Sequence, residues 1–289
     1  MEEFLDLARR GKNDLWRYII GIILIFTFYL SGVIIPFVVA LAFGLPVNLK
    51  TFQIIGLNQL GEFLLTMFTF ITWVIGIFIV VKFIHKRPLL SLITPRKSIK
   101  WKTVLWGFIL FFGLLIPVTI VEYILGPSDF QFNFNLYSFL IFLPFILILI
   151  PIQTTTEELF FRGYFLQGTG LLIRNFLILA IVNGIAFMLI HLGNPEISGG
   201  VLMMIYYAFV GLFLAFITLK SGSMELAIGV HAAFNLFYSL ILGYSNAAFS
   251  TPSIFIKGSM DPLYTLISII VVSVLFYLIV FKYKSNLLK

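Results

Sequence analysis

Glu157, Glu158 and Arg162 stand in the segment TTTEELFFRGYF, residues 154–165, with runs of Leu, Ile and Phe on either side. On a helix Glu158 and Arg162 are four residues apart and pair along one face. Glu157 is turned about 100° from Glu158, so Arg162 does not readily serve both acids and Glu157 is left as an unpaired carboxylate. Two of the three histidines lie in equally apolar surroundings. His191 falls in NGIAFMLIHLGN, where Asn183, Phe187 and His191 share a helix face, and His231 opens HAAFN, with Asn235 one turn further on. Ionisable groups inside apolar spans mark functional sites by default.

A carboxylate, two imidazoles and a carboxamide suit hydrolysis. A Glu and a neutral His together polarise and deprotonate a water, while a second His and an Asn donate hydrogen bonds to a tetrahedral oxyanion. The same Glu and His residue types also hold a metal with water in an open position. The sequence contains no HExxH, no Gly-x-Ser-x-Gly elbow and no cysteine, so neither a serine triad nor a thiolate explains the cluster. Blander readings exist for each part. Pro151 followed by Thr154, Thr155 and Thr156 reads as a broken helix restarted by capping boxes onto Glu157 and Glu158. Lone intramembrane histidines commonly make interhelical hydrogen bonds. His85, in a basic loop, reads as solvated or facing lipid headgroups.

The elements that must position these groups are membrane spans. Of 289 residues, 61% are hydrophobic and 11% charged, against about 25% charged in a soluble domain. The apolar runs are long and continuous, which excludes an alternating transmembrane barrel. The expected fold is all-α, a polytopic transmembrane bundle of eight spans near 18–43, 60–84, 101–126, 137–166, 172–191, 201–219, 224–243 and 262–282. No linker is long enough for a separate soluble domain. The chain divides into spans one to three (1–136), a catalytic core (137–243) and a last span with its tail (244–289). MEEFLDLARRGKNDLWRY is not a secretory signal, and its Phe4, Leu5, Leu7 and Ala8 suit a short interfacial helix.

The net charge of +7 reads through its placement, not as affinity for nucleic acid. With eight spans, Arg9, Arg10, Lys12, Arg17, the run from Lys82 to Lys102, Arg174, Lys220, Lys282, Lys284 and Lys289 all fall on one side. The opposite loops carry chiefly Lys50 and Lys257. Both termini are therefore expected in the cytoplasm, with the protein in the cell membrane as a multi-pass chain. At about 1.5 Å per residue, Glu157 lies roughly 13 Å from the cytoplasmic end of its span, His231 and Asn235 about 10 and 16 Å, and His191 somewhat over 20 Å unless its span is tilted or sunk. A water-filled cavity open to the cytoplasm would hydrate all four.

EELFFR (157–162), FMLIH (187–191) and HAAFN (231–235) resemble, in order, the EExxxR, FxxxH and HxxxN motifs of the CAAX prenyl protease and bacteriocin-processing (CPBP) family of intramembrane proteases, which includes the type II CAAX prenyl endopeptidases. The resemblance covers roughly residues 140–242. It implies that Glu157 and His191 activate water, that His231 and Asn235 stabilise the oxyanion, that Glu158 and Arg162 hold the first motif in shape, and that Phe187 packs the site. The expected activity is that of a membrane-embedded endopeptidase acting on a peptide or protein substrate at the bilayer, with a prenylated C-terminus as the family precedent. A metal-free mechanism is preferred, because the second His and the Asn make better sense as donors. If zinc is used instead, Glu157, His191 and His231 hold it. A proton-coupled transporter would also place Glu, His and Arg in spans, but the inverted repeats common in transporters are not evident. A non-catalytic scaffold with the same fold is the remaining alternative.

Overall fold

Asn58, Asn135, Asn175 and Asp261 each precede an apolar run, and each side-chain oxygen accepts backbone N–H groups of the helix that follows. Such caps satisfy donors that a helix start leaves without intrahelical partners. In the computed structural model, which describes residues 1–49 and 53–283, the runs form a helical bundle. After a short α1 (Glu2–Asp6) come α2 (Leu15–Ala42), α3 (Gln59–Ile79), α4 (Trp101–Leu125) and α5 (Leu136–Glu158). A π-helical stretch, Leu159–Phe165, joins α5 to α6 (Leu166–Thr169), and α7 (Phe176–Ile190), α8 (Val201–Ser221), α9 (Glu225–Leu240) and α10 (Pro262–Tyr277) follow. Lys50, Lys284 and Lys289, which belong to the charge pattern above, lie outside the described residues.

The fold is an all-α polytopic membrane bundle. Among the described residues six helical segments are long and apolar enough to cross a membrane: Leu15–Ala42, Gln59–Ile84, Trp101–Leu125, Leu136–Thr169, Val201–Ser221 and Pro262–Tyr283. Helices α7 and α9 occupy the positions read as spans five and seven, but have only 15 and 16 residues. At about 1.5 Å per residue they reach some 22–24 Å, short of a hydrocarbon core of about 30 Å. They are the helices that carry His191 and His231.

The connections sort by end. At the basic end, Lys12 N donates to His85 O at 2.7 Å and Met224 N to Ile93 O at 2.9 Å, Arg174 bonds Asp6 at 2.7 Å, and Arg96 reaches Glu225 at 3.2 Å. The opposite end carries the two small sheets: β1 (Val47–Asn48) with β2 (Gln53–Ile54), and β3 (Phe130–Phe132), β4 (Leu242–Tyr244) and β5 (Phe255–Lys257) in the order β3-β5-β4. Lys257 is not a free loop charge, because it is buried and bonds Glu122 at 2.6 Å. Among the described residues that end is therefore poorer in exposed cations than the sequence suggested.

Three local expectations are corrected. Helix α5 runs unbroken through Pro144 and Pro151, and no restart occurs there. Thr154 Oγ1 and Thr156 Oγ1 donate back to Ile150 O and Ile152 O at 3.1 and 2.8 Å, so these hydroxyls bond the preceding turn instead of capping a new one. Prolines are tolerated in membrane helices where such side chains and neighbouring helices make up the lost bonds. The N-terminal Phe4, Leu5, Leu7 and Ala8 do not present an apolar face outward as an interfacial helix would; they are buried against the bundle. There Arg174 and, less strongly, Arg9 hold the Asp6 carboxyl below the usual carboxylate range. His85 is not solvated either. It is 1% exposed, with Nδ1 on Lys12 O at 2.8 Å and Nε2 on Tyr164 Oη at 2.9 Å, and burial pushes its pKa down.

Candidate active site

Close helix contact brings the three motifs together. A Cβ on Gly211 would lie 2.5 Å from Phe187 Cβ and 3.0 Å from Gly184 Cα, so two glycines let α7 and α8 approach backbone to backbone. A Cβ on Gly229 would meet Val104 O at 2.1 Å, which presses α9 onto α4. Glu157 and Glu158 end α5 just before the π-helical stretch, an irregularity often found at functional sites. Within that stretch Phe161 O accepts Asn183 Nδ2 at 2.8 Å, so Asn183 is a structural tie and not part of the reacting group.

Glu158 and Arg162 are both fully buried, and Arg162 Nη1 donates to Glu158 Oε1 at 2.9 Å. Arg162 Nη2 donates to Gly211 O at 2.9 Å, and its guanidinium lies 5.0 Å from the centre of the Phe187 ring. The pair is not closed on itself. His231 Nδ1 sits 2.7 Å from the same Glu158 Oε1, so Glu158 joins Arg162 to the third motif, a contact the sequence reading did not anticipate.

Glu157 faces the other way. Its Oε1 accepts Gln153 Nε2 at 2.5 Å, and Gln153 Oε1 accepts Asn235 Nδ2 at 2.8 Å. Its Oε2 is buried with no hydrogen-bond partner. His231 Nε2 lies 3.6 Å and His191 Nε2 3.9 Å from that oxygen, both beyond hydrogen-bond length. Gln153 was missed in the sequence, although it stands one helical turn before Glu157 in an apolar run, the signal that singled out the other polar residues.

His191 caps the C-terminal end of α7, stacked between Phe187 at 4.3 Å and Tyr207 at 4.6 Å. Tyr207 was also missed. His191 Nδ1 is 2.7 Å from Phe187 O. A carbonyl only accepts, so this contact assigns the proton to Nδ1 and leaves Nε2 as an acceptor aimed at Glu157. Glu157, His191, His231 and Asn235 thus come together, with Glu158, Arg162 and Phe187 packed behind them.

The four line a cavity of about 990 Å³. Its walls come from the middle and C-terminal part of α2, the N-terminal and middle part of α3, the C-terminal ends of α5 and α7, the N-terminal half of α8, the middle and C-terminal part of α9, and the connections at the sheet-bearing end. No wall residue comes from the basic loops. Among the described residues, no three His, Cys, Asp or Glu side chains are arranged to hold a metal ion.

A family model described as type II CAAX prenyl endopeptidase Rce1-like matches residues 137–237. An uncharacterised protein of Bacillus subtilis (strain 168), YyaK, is 33% identical over 273 residues, which span 92% of this chain and 91% of the relative. No solved structure matches the chain.

Proposed function

The chain belongs to the Rce1-like type II CAAX prenyl endopeptidase family, and from that premise we propose that it hydrolyses a peptide bond at the membrane with Glu157 as the base that activates water. The observation that supports this most directly is the free Glu157 Oε2. It is buried, unpartnered and flanked by two imidazoles on the wall of a large cavity. A water accepted there donates one proton toward Oε2 and is oriented by His191 Nε2, whose acceptor state Phe187 O fixes.

His231 takes the complementary role. Glu158, on Nδ1, holds the ring in place so that Nε2 faces the developing oxyanion. Asn235 Nδ2 spends one hydrogen on Gln153 Oε1 and has a second to offer the same oxyanion. Gln153 then acts as a positioning residue that holds both Asn235 and Glu157. The basic end faces the cytoplasm and the protein resides in the cell membrane.

Purified wild-type protein, its Glu157→Ala variant and its His231→Ala variant test the reading. Wild-type turnover is expected to survive prolonged chelation, and Glu157→Ala is expected to retain bound substrate that mass spectrometry identifies. One zinc per chain, lost together with turnover in His231→Ala, would overturn the metal-free mechanism.

A further inference from the structure

We propose that Glu196 is a specificity-determining residue, whose carboxylate takes a Lys or Arg side chain of the peptide substrate on the wall of the catalytic cavity. That the occupant is a substrate rests on the protease reading above. That it carries a positive charge rests on the wall itself.

Glu196 stands apart from the other buried acids. Glu122 pairs with Lys257, Glu158 with Arg162 and Glu225 with Arg96, and Glu157 lies between two imidazoles. Glu196 is only 7% exposed, and among the described residues no Lys, Arg or His forms an ion pair with it. A buried carboxylate without a cation is costly. Protonation would not repair the site, because a carboxyl O–H also needs a partner.

The local fold holds this acid beside the reacting groups. Helix α7 ends at His191, whose carbonyl accepts Asn194 N at 3.0 Å, and Asn194 leads into the short 3₁₀ helix Pro195–Gly199 that carries Glu196. Asn194 Nδ2 donates to Tyr207 Oη at 3.1 Å, and Tyr207 stacks on His191. His191, Asn194, Glu196 and Tyr207 all line the cavity. Ala248 N donates to Glu196 Oε1 at 2.9 Å, which fixes the carboxylate, while Oε2 is buried with no hydrogen-bond partner. A buried polar atom in that state calls for an occupant, as Glu157 Oε2 does for the hydrolytic water.

A cationic side chain suits the place better than a second water. Among the described residues the cavity wall has Glu62, Glu157 and Glu196 and no Lys or Arg. Tyr206, Tyr207 and Phe234 line it as well, with the Tyr206 ring 5.3 Å from Tyr207 and 6.3 Å from Phe234. Such rings attract a cation over their faces and pack the apolar stem of Lys or Arg. A neutral or acidic side chain would leave the Glu196 charge unmatched.

A mixture of randomised decapeptides, N-acetylated and C-amidated so that the only cations are side chains, is offered in detergent to Glu157→Ala protein. In that background Glu157 neither cleaves nor attracts a cation, and mass spectrometry identifies the peptides retained. Peptides with Lys or Arg are expected to be enriched, and adding Glu196→Gln to reduce their retention at least about tenfold. Gln keeps the acceptor for Ala248 N, so Tm is expected to hold. Glu196→Asp keeps the charge and is expected to keep the enrichment, as is Glu62→Gln, which alters an exposed acid of the same wall. Equal retention of basic and neutral peptides would overturn the proposal. Enrichment lost from the Gln and Asp variants alike would assign Glu196 a structural role and overturn it too. Retention needs no turnover. Basic peptides held by Glu157→Ala but left uncut by the wild-type protein would sink the protease reading and leave the cation site standing. Wild-type cleavage with no preference for Lys or Arg would do the reverse.

Discussion

Glu158 Oε1 accepts His231 Nδ1 at 2.7 Å, and the same oxygen takes Arg162 Nη1 at 2.9 Å. One carboxylate oxygen therefore ties the first motif to the third, and a change at Glu158 acts on both the fold and the site.

Glu158→Gln and Arg162→Ala are expected to lower stability as well as activity. Removing one partner of a buried pair strands the other charge, at a cost of about 3–5 kcal/mol. Thermal unfolding in detergent measures this. A wild-type Tm for either variant, with activity gone, would contradict the supporting role.

Asn235→Ala is expected to keep some turnover, because loss of one oxyanion donor typically costs about 10²–10³ in rate. Gln153→Ala removes the tie to both Asn235 and Glu157 and is expected to lower kcat. The two effects should not add, since the residues share a hydrogen bond. A double-mutant cycle in kcat that is additive would separate Gln153 from the site.

His85 gives a pH dependence outside the spans. Its folded-state pKa is lowered by burial, opposed by the Lys12 carbonyl and reinforced by Arg87 and Arg17. The unfolded chain thus binds more protons, and stability rises with pH across the window between the two values. The contribution is present above an unfolded value of about 6.5 and is lost as pH falls through the lowered folded value. Tm measured against pH is expected to fall on acidification below about 6.5 and to level off once the folded value is passed, and His85→Phe to flatten the slope. An unchanged slope would remove His85 as the cause.

The charge pattern predicts reporter fusions that read outside after Lys50, inside after Arg96 and outside after Lys257. Any other order would contradict the eight-span orientation with both termini in the cytoplasm.

The legible parts of the sequence were those set by local periodicity. The i, i+4 relation of Glu158 to Arg162, and of Phe187 to His191, survives folding because each pair lies within one continuous stretch. The approximate helix positions followed from the lengths of the apolar runs. What depended on partners far along the chain was not legible. His85 looked solvated until Tyr164, 79 residues away, closed over it. The Thr154–Thr156 run looked like caps because Pro151 precedes it, whereas the irregularity falls after Glu158, at the π-helical stretch.

The central claim is that Glu157 activates the hydrolytic water, and cleavage in ¹⁸O-water by the purified protein tests it most directly. Mass spectrometry of the products is expected to show a new carboxyl terminus carrying the label with wild-type protein. No product is expected from Glu157→Ala or His191→Ala, each shown by its unfolding profile to be folded. Cleavage by folded Glu157→Ala at the wild-type rate would contradict the account.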